Sequence, residues 1–232
     1  MRGRFHPFRW SLLGRRVLIL GAAISAIALA TPVALDPPVA QAVDYSYLLP
    51  PVGFCGSAES NWNSDQTQQK TAALCLVNGV RKKAGVSPLK ASPCHTGRPA
   101  GSCLMPRPSR FYSPRLNKLY GAASRKAGDV VRCQRPEPTS TWIHTACGRP
   151  VDYWLKTFGY PNGCPTAENI YNGWGAPANT ARAAVKGWLN STPHRTSLLR
   201  PDWTDTAIAV NQGTFLGHDN SAVWVNLFGR CP

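Results

Sequence analysis

TAIAVNQGTFLGHDNSAVWVNLF, residues 206–228, breaks the pattern that the rest of the chain follows. Two short runs, 206–212 and 222–228, are rich in β-branched and aromatic residues, and a Gly-containing turn with Asp219-Asn220 joins them. Such runs predict an antiparallel hairpin. Upstream, apolar residues recur at i, i+3, i+4 and i+7, the period of a helix with one buried face. Ala73, Leu76, Val77 and Val80 mark a helix over about 65–83, ended by Gly85. Ser113-Pro114 supplies a helix start, and Leu116, Leu119, Tyr120, Ala123 and Ala127 continue it. A third helix follows Pro150 through Val151, Trp154, Leu155 and Phe158, stopped by Gly159. A fourth runs over about 179–189 through Ala181, Ala184, Val185 and Trp188. Each stripe must cover something, so helices with a closing hairpin predict an α+β fold, its antiparallel sheet covered by helices.

The first 42 residues differ in kind. Five arginines (Arg2, Arg4, Arg9, Arg15, Arg16) precede the apolar run VLILGAAISAIALA, and Ala40-Gln41-Ala42 follows. That order is a secretory leader with a cleavage site near Ala42. The apolar run is fourteen residues long, short of the roughly 20 that a spanning helix needs, so no membrane span is expected after cleavage. Arg15-Arg16 leaves both general and twin-arginine export open. The expected organisation is a signal peptide over 1–42, an irregular segment over 43–65 and one domain over 66–232. A Cys/Pro-rich insert, 91–112, interrupts that domain.

Removing the leader deletes five arginines and one aspartate and takes the formal charge from +15 to +11. A basic exported protein is drawn to anionic wall or lipid material. No specific nucleic-acid motif appears, and no polybasic tail or amphipathic helix singles out the membrane. All eight cysteines lie beyond the leader, and an even number in an exported chain reads as a disulfide framework. No C-x-x-C pair supports a metal site instead. Spacing leaves the connectivity open. Cys94 and Cys103 are candidates to close one loop, and Cys147 and Cys164 to tie the two ends of the third helix to a neighbouring segment.

Four histidines remain after the leader. His95 in the insert and His218 in the hairpin turn read as exposed loop residues. His144 lies in TWIHTACGRP, between an apolar pair and the third helix. His194 lies in GWLNSTPHRTSLL, where Thr192-Pro193 opens a helical turn whose dipole favours a neutral imidazole. Such a ring binds metal or accepts a proton. Between them PTAENIYNGWG carries Glu168 before a short apolar bend, in a chain with few acids. By itself this glutamate fits a turn cap as well as a site. Trp154 and Trp188 read as core.

In order, HTACGRPVDYWLKTFGY, AENI, GWLNSTPHRTSLL and VWVNLFG resemble the bacterial SCP-like branch of the CAP superfamily, which takes in cysteine-rich secretory, antigen-5 and pathogenesis-related proteins. CLVNGVRKKAGVSPL resembles the first helix of that family, so the likeness runs from Cys75 to Cys231. It implies an α-β-α sandwich and a cleft lined by His144, His194 and Glu168, the candidate catalytic residues if there is turnover. It also implies a divalent metal such as zinc on His144 and His194, with Asn169 and Arg195 as supporting cleft residues. Asn190-Ser191 stands where many relatives carry a second acid, which weakens a case for acid–base catalysis. The leading expectation is a monomeric secreted protein whose cleft binds a metal or a small lipid-like ligand at the cell envelope. A secreted hydrolase, peptidase, esterase or ribonuclease-like, and a non-catalytic wall-binding module are the alternatives.

Overall fold

The computed structural model describes residues 44–92, 113–135 and 140–231, all within the compact unit Ala42–Pro232. The leader, His95, the Cys94–Cys103 candidate pair and nearly all of the insert lie outside the described residues.

Two short 3-10 turns, Tyr45–Leu48 and Ser57–Glu59, lead into helix α1, Gln66–Lys83. Asp65 caps α1 by accepting from the amides of Thr67 and Gln68 at 2.8 and 3.0 Å. Strand β1 is Lys90–Ala91, and α2, Pro114–Arg132, begins on its proline. A kinked 3-10 segment, Ser140–Gly148, precedes the short helix α3, Tyr153–Thr157. Strand β2, Thr166–Trp174, then leads to α4, Ala181–Asn190, and α5, Thr192–Leu199. Strands β3, Asp205–Phe215, and β4, His218–Gly229, close the chain as the expected hairpin.

The sheet order is β1-β3-β4-β2, antiparallel except for the two-residue parallel pairing of β1 with β3. In β3 and β4, successive side chains point to opposite faces. Ala207, Ala209, Val223, Val225 and Leu227 pack with Leu119, Ala123 and Val130 of α2. Ile208, Val210, Ala222, Trp224 and Phe228 pack with apolar residues of α1, α4 and α5, among them the fully buried Trp188. Covering both faces is what turns the alternation of a half-buried strand into near-continuous apolar runs.

Two expectations need correction. The stretch read as a bend around Glu168 is the nine-residue strand β2, paired along its length with β4 from Thr166↔Gly229 to Trp174↔Ser221. Glu168, Asn169 and Gly173 obscure its period: Glu168 meets His144, Asn169 holds the His194 carbonyl, and Gly173 lies too close to the Ala178 carbonyl for a side chain. The third helix is also shorter than expected. Val151 is 47% exposed and lies before α3, so the i, i+3, i+4 pattern there was partly coincidence.

Disulfides join Cys55 to Cys75, Cys133 to Cys147, and Cys164 to Cys231. Cys147 and Cys164 do fix the two ends of the α3 region, but to two different segments. One is the end of α2 and the other is the chain just beyond β4.

At the start of β3 the fully buried Asp205 faces Arg115 Nε at 2.7 Å, and the hydroxyl of Tyr160 donates to it at 3.2 Å. Burial and the neighbouring carboxylate push the Tyr160 phenol well above its ordinary range. Asp205→Ala leaves both partners without their acceptor. It is expected to lower the unfolding free energy by about 3 kcal/mol, read by urea denaturation under oxidising conditions.

Candidate functional site

The backbone of His144 is fixed from several sides. Its 3-10 segment leaves helical geometry at Thr145, Ala146 and Cys147, the last with φ of 60°. Cys147 is bonded to Cys133, just past the end of α2. Asp129 of α2, buried, accepts from Arg132 at 2.6 Å, from Arg149 and from Trp154 Nε1 at 2.7 Å. The chain on the C-terminal side of His144 is therefore tied to α2 by a covalent bond and a charged hub.

Strand β2 brings Glu168 to this segment. Its Oε1 lies 2.8 Å from His144 Nδ1. A carboxylate only accepts, so the ring donates from Nδ1, and in the neutral ring Nε2 carries the lone pair. Lys126 of α2 completes the group. Its ammonium lies 3.7 Å from the same Glu168 oxygen and donates to the His144 carbonyl. The Lys126 and Glu168 side chains are 4% and 3% exposed, that of His144 31%. Burial lowers the proton affinity of Lys126, and Glu168 and Asp129 oppose that shift. The second oxygen of Glu168, Oε2, is buried without a hydrogen-bond partner among the described residues.

His194 approaches from the other layer. Along a strand, neighbours face opposite sides. Glu168 turns towards α2, while Asn169, fully buried, donates from Nδ2 to the His194 carbonyl at 2.9 Å. Arg195 donates to the carbonyl of Leu189 at 2.8 Å and to Thr192 at 3.2 Å, and its guanidinium lies 3.6 Å from the centre of the Tyr45 ring. Asn169 and Arg195 thus hold α5 in place. His194 is half-buried, and burial first, then the nearby His144, lowers its pKa. The outer strand β2 therefore touches both histidines, the His144 ring through Glu168 and the His194 carbonyl through Asn169.

Among the described residues no group of three or more His, Cys, Asp or Glu side chains converges in a metal-holding arrangement. Asn190 and Ser191, at the junction of α4 and α5, provide no second acid. Trp188 is core, and Trp154 is partly buried with its indole nitrogen on Asp129. His218 is exposed, stacked 4.2 Å from Trp174 at the far end of β2 from Glu168. Sequence reasoning missed Lys126, although a signal was there. It lies three residues after Ala123 and seven after Leu119, squarely on the apolar stripe of α2, where a lysine must find a partner.

Residues 117–228, from within α2 to the end of β4, match the family model of the cysteine-rich secretory proteins, CAP. Over this stretch the chain matches the CAP family. Lys126, His144, Glu168 and His194 all fall within the matched stretch of the CAP domain, whereas α1 and the segment before it lie outside. An outer surface protein from Borrelia burgdorferi is similar in structure, with a TM-score of 0.50 at 18% identity over 73% of this chain and 97% of that one. An extracellular SCP-domain protein from Bacillus anthracis gives 0.47 at 15% over 72% of this chain and 44% of its own. A cysteine-rich secretory protein from Staphylococcus aureus gives 0.44 at 16% over 73% and 40%. At such identities the likeness concerns the fold. No curated protein matches the chain.

Glu168→Gln strips Lys126 of its carboxylate partner in a buried setting and is expected to cost about 3 kcal/mol in urea denaturation. The Glu168→Gln/Lys126→Met pair is expected to recover part of that loss. His194 gives a prediction in pH. Its pKa is lowered in the folded state, so between the ordinary imidazole value and the lowered one the unfolded chain binds a proton that the folded chain refuses. Stability therefore falls as pH falls through that window. Thermal midpoints of wild type and His194→Gln are expected to diverge below about pH 6.5, with the variant losing less. Parallel curves would remove the effect.

Proposed function

We propose that this CAP-domain protein acts outside the cytoplasm as a binding protein, and that its ligand meets the imidazoles of His144 and His194. The observation that carries the proposal is the hydrogen bond from His144 Nδ1 to the buried Glu168 at 2.8 Å, beside a His194 kept short of protons by burial and by His144. Orienting one ring through a carboxylate and holding the other neutral leaves ring nitrogens available to a ligand. The basic, apolar, Ala-x-Ala leader supports export, with cleavage near Ala42. The similar protein from Borrelia burgdorferi is an outer surface protein, which supports the same compartment. The formal +11 beyond residue 42 supports anionic envelope material as the setting.

A divalent ion such as zinc is the simplest ligand for such nitrogens. His144 Nε2 and His194 would hold it, with Glu168 behind His144 in the carboxylate–histidine arrangement common around metals. Two imidazoles without a third protein ligand among the described residues, next to the Lys126 ammonium, suit an exchangeable ion completed by water or by a second ligand rather than a structural zinc. When bound, such an ion would supply a Lewis-acid centre; the protein groups themselves only orient and accept. No turnover is assigned, because the arrangement has one carboxylate, and Lys126 already pairs with it.

Zinc titration calorimetry on the oxidised protein from Ala42 onward, beside His144→Ala/His194→Ala, tests the reading. Stoichiometric uptake lost in the double variant is the expected result. Equal uptake by both proteins, or none by either, would remove the metal from the proposal.

A further inference from the structure

Among the described residues six large apolar side chains are exposed, and three of them, Tyr47, Val52 and Phe54, fall within eight residues at 67%, 75% and 62% exposure. Exposed apolar residues scattered singly need no explanation; three on one short segment do, particularly when that segment is fixed. Leu48 and Leu49 are buried in the core shared by α1 and α4. Lys83 Nζ donates to the Leu49 carbonyl at 2.8 Å and Arg182 Nη2 to that of Pro50 at 2.7 Å. Pro50 lies so close to Gly79 of α1 that a Cβ there would come within 2.5 Å of its ring. The buried Glu59 accepts from the amides of Gly53 and Cys55 and pairs with Arg182 at 3.0 Å, and Cys55 is bonded to Cys75. The segment is thus an arch clamped at both ends, and its apolar side chains are held outward.

Basic groups border the arch. Phe54 and Lys82, with Gly79, Val86 and Pro88, line an open groove of about 700 Å³. Lys82 is exposed, and Lys83 reaches the carbonyls of Tyr47 and Leu49. From 44 to 59 the chain has two carboxylates, of which Glu59 is buried and spent on amides and Arg182, leaving Asp44.

We propose that the arch is a docking surface for an anionic lipid bilayer, with Tyr47, Val52 and Phe54 entering the headgroup region and Lys82 meeting lipid phosphates. Aromatic side chains settle at the boundary of membrane and water, and lysines beside it gain from an anionic surface. The positive charge of the chain complements that surface. A bilayer also accommodates apolar side chains that project separately, where a folded partner would need a matching pocket for each. Preformed geometry means that no ordering cost is added on contact. The docking surface contains neither imidazole of the cleft, so it stands or falls apart from the ligand reading above.

The test is co-sedimentation of the protein from Ala42 onward, the start of its compact unit, with vesicles of two parts phosphatidylcholine to one part phosphatidylglycerol. Vesicles of phosphatidylcholine alone serve as the comparison. Binding to the mixed vesicles that weakens with salt is expected. Val52→Ser/Phe54→Ser is expected to weaken it about tenfold, and Lys82→Gln about fivefold with a shallower salt dependence. Both variants alter exposed side chains, so an unchanged thermal midpoint checks the fold. The proposal is overturned by absence of binding, by equal binding to phosphatidylcholine alone, or by a Val52→Ser/Phe54→Ser protein that binds like wild type. The last result would leave diffuse basic charge, or a protein partner for the arch, as the explanation.

Discussion

Strands β3 and β4 are covered on both faces, and most of the architecture follows from satisfying that condition. Helix α2 must bring an apolar stripe to one face, and α1, α4 and α5 must close the other. The large side chains of Trp188, Trp224 and Phe228 are fully buried in the second layer. Some of the polar groups that remain inside are paired within the sheet, as where Asn226 donates to the Thr206 hydroxyl at 2.7 Å and Thr206 to the Leu227 carbonyl at 3.0 Å. A central pair so enclosed has no room for a solvated charge. Polar chemistry is displaced to the outer strand β2, whose neighbours Glu168 and Asn169 reach into different layers.

The two sides of β2 are treated differently. Towards α2 lies a buried ammonium and a buried carboxylate sharing one oxygen with an imidazole. Burying ions is costly, and a pair offsets the cost only when its geometry is good and further hydrogen bonds complete it. Lys126 meets that condition by donating to the His144 carbonyl as well as pairing with Glu168. Towards α5 the linkage is neutral, an amide donating to a carbonyl. One histidine is thus positioned through its ring and the other through its backbone.

How much of this was legible in the sequence depended on whether a residue served one purpose or two. The stripes of α1, α2 and α4 and the hairpin of β3 and β4 do nothing but pack, and their period announces them. Residues 166–174 pack, pair and supply the site together, so Glu168 and Asn169 interrupt the alternation that would mark a strand; only the register with β4 reveals it. His144, Glu168 and His194 were found through their order along the chain, whereas Lys126 was passed over because a lysine on a helix is ordinarily read as solvated. Its place on the apolar stripe was the available clue. The arch over α1 had no periodic signature at all. It is held by side chains reaching backbone carbonyls from Lys83 and Arg182, contacts that no spacing rule encodes.

The span from His144 to Glu168 contains two covalent anchor points, Cys147 bonded to Cys133 soon after His144 and Cys164 bonded to Cys231 shortly before Glu168. In a reduced chain this span would be an ordinary stretch of polypeptide, and the meeting of ring, carboxylate and ammonium would have to be selected from many arrangements at a cost in chain entropy. With both bridges closed, that selection is largely made before the side chains meet. The chemistry of the compartment is thereby written into the site, which reaches its geometry where thiols are oxidised and stays loosely assembled where they are not.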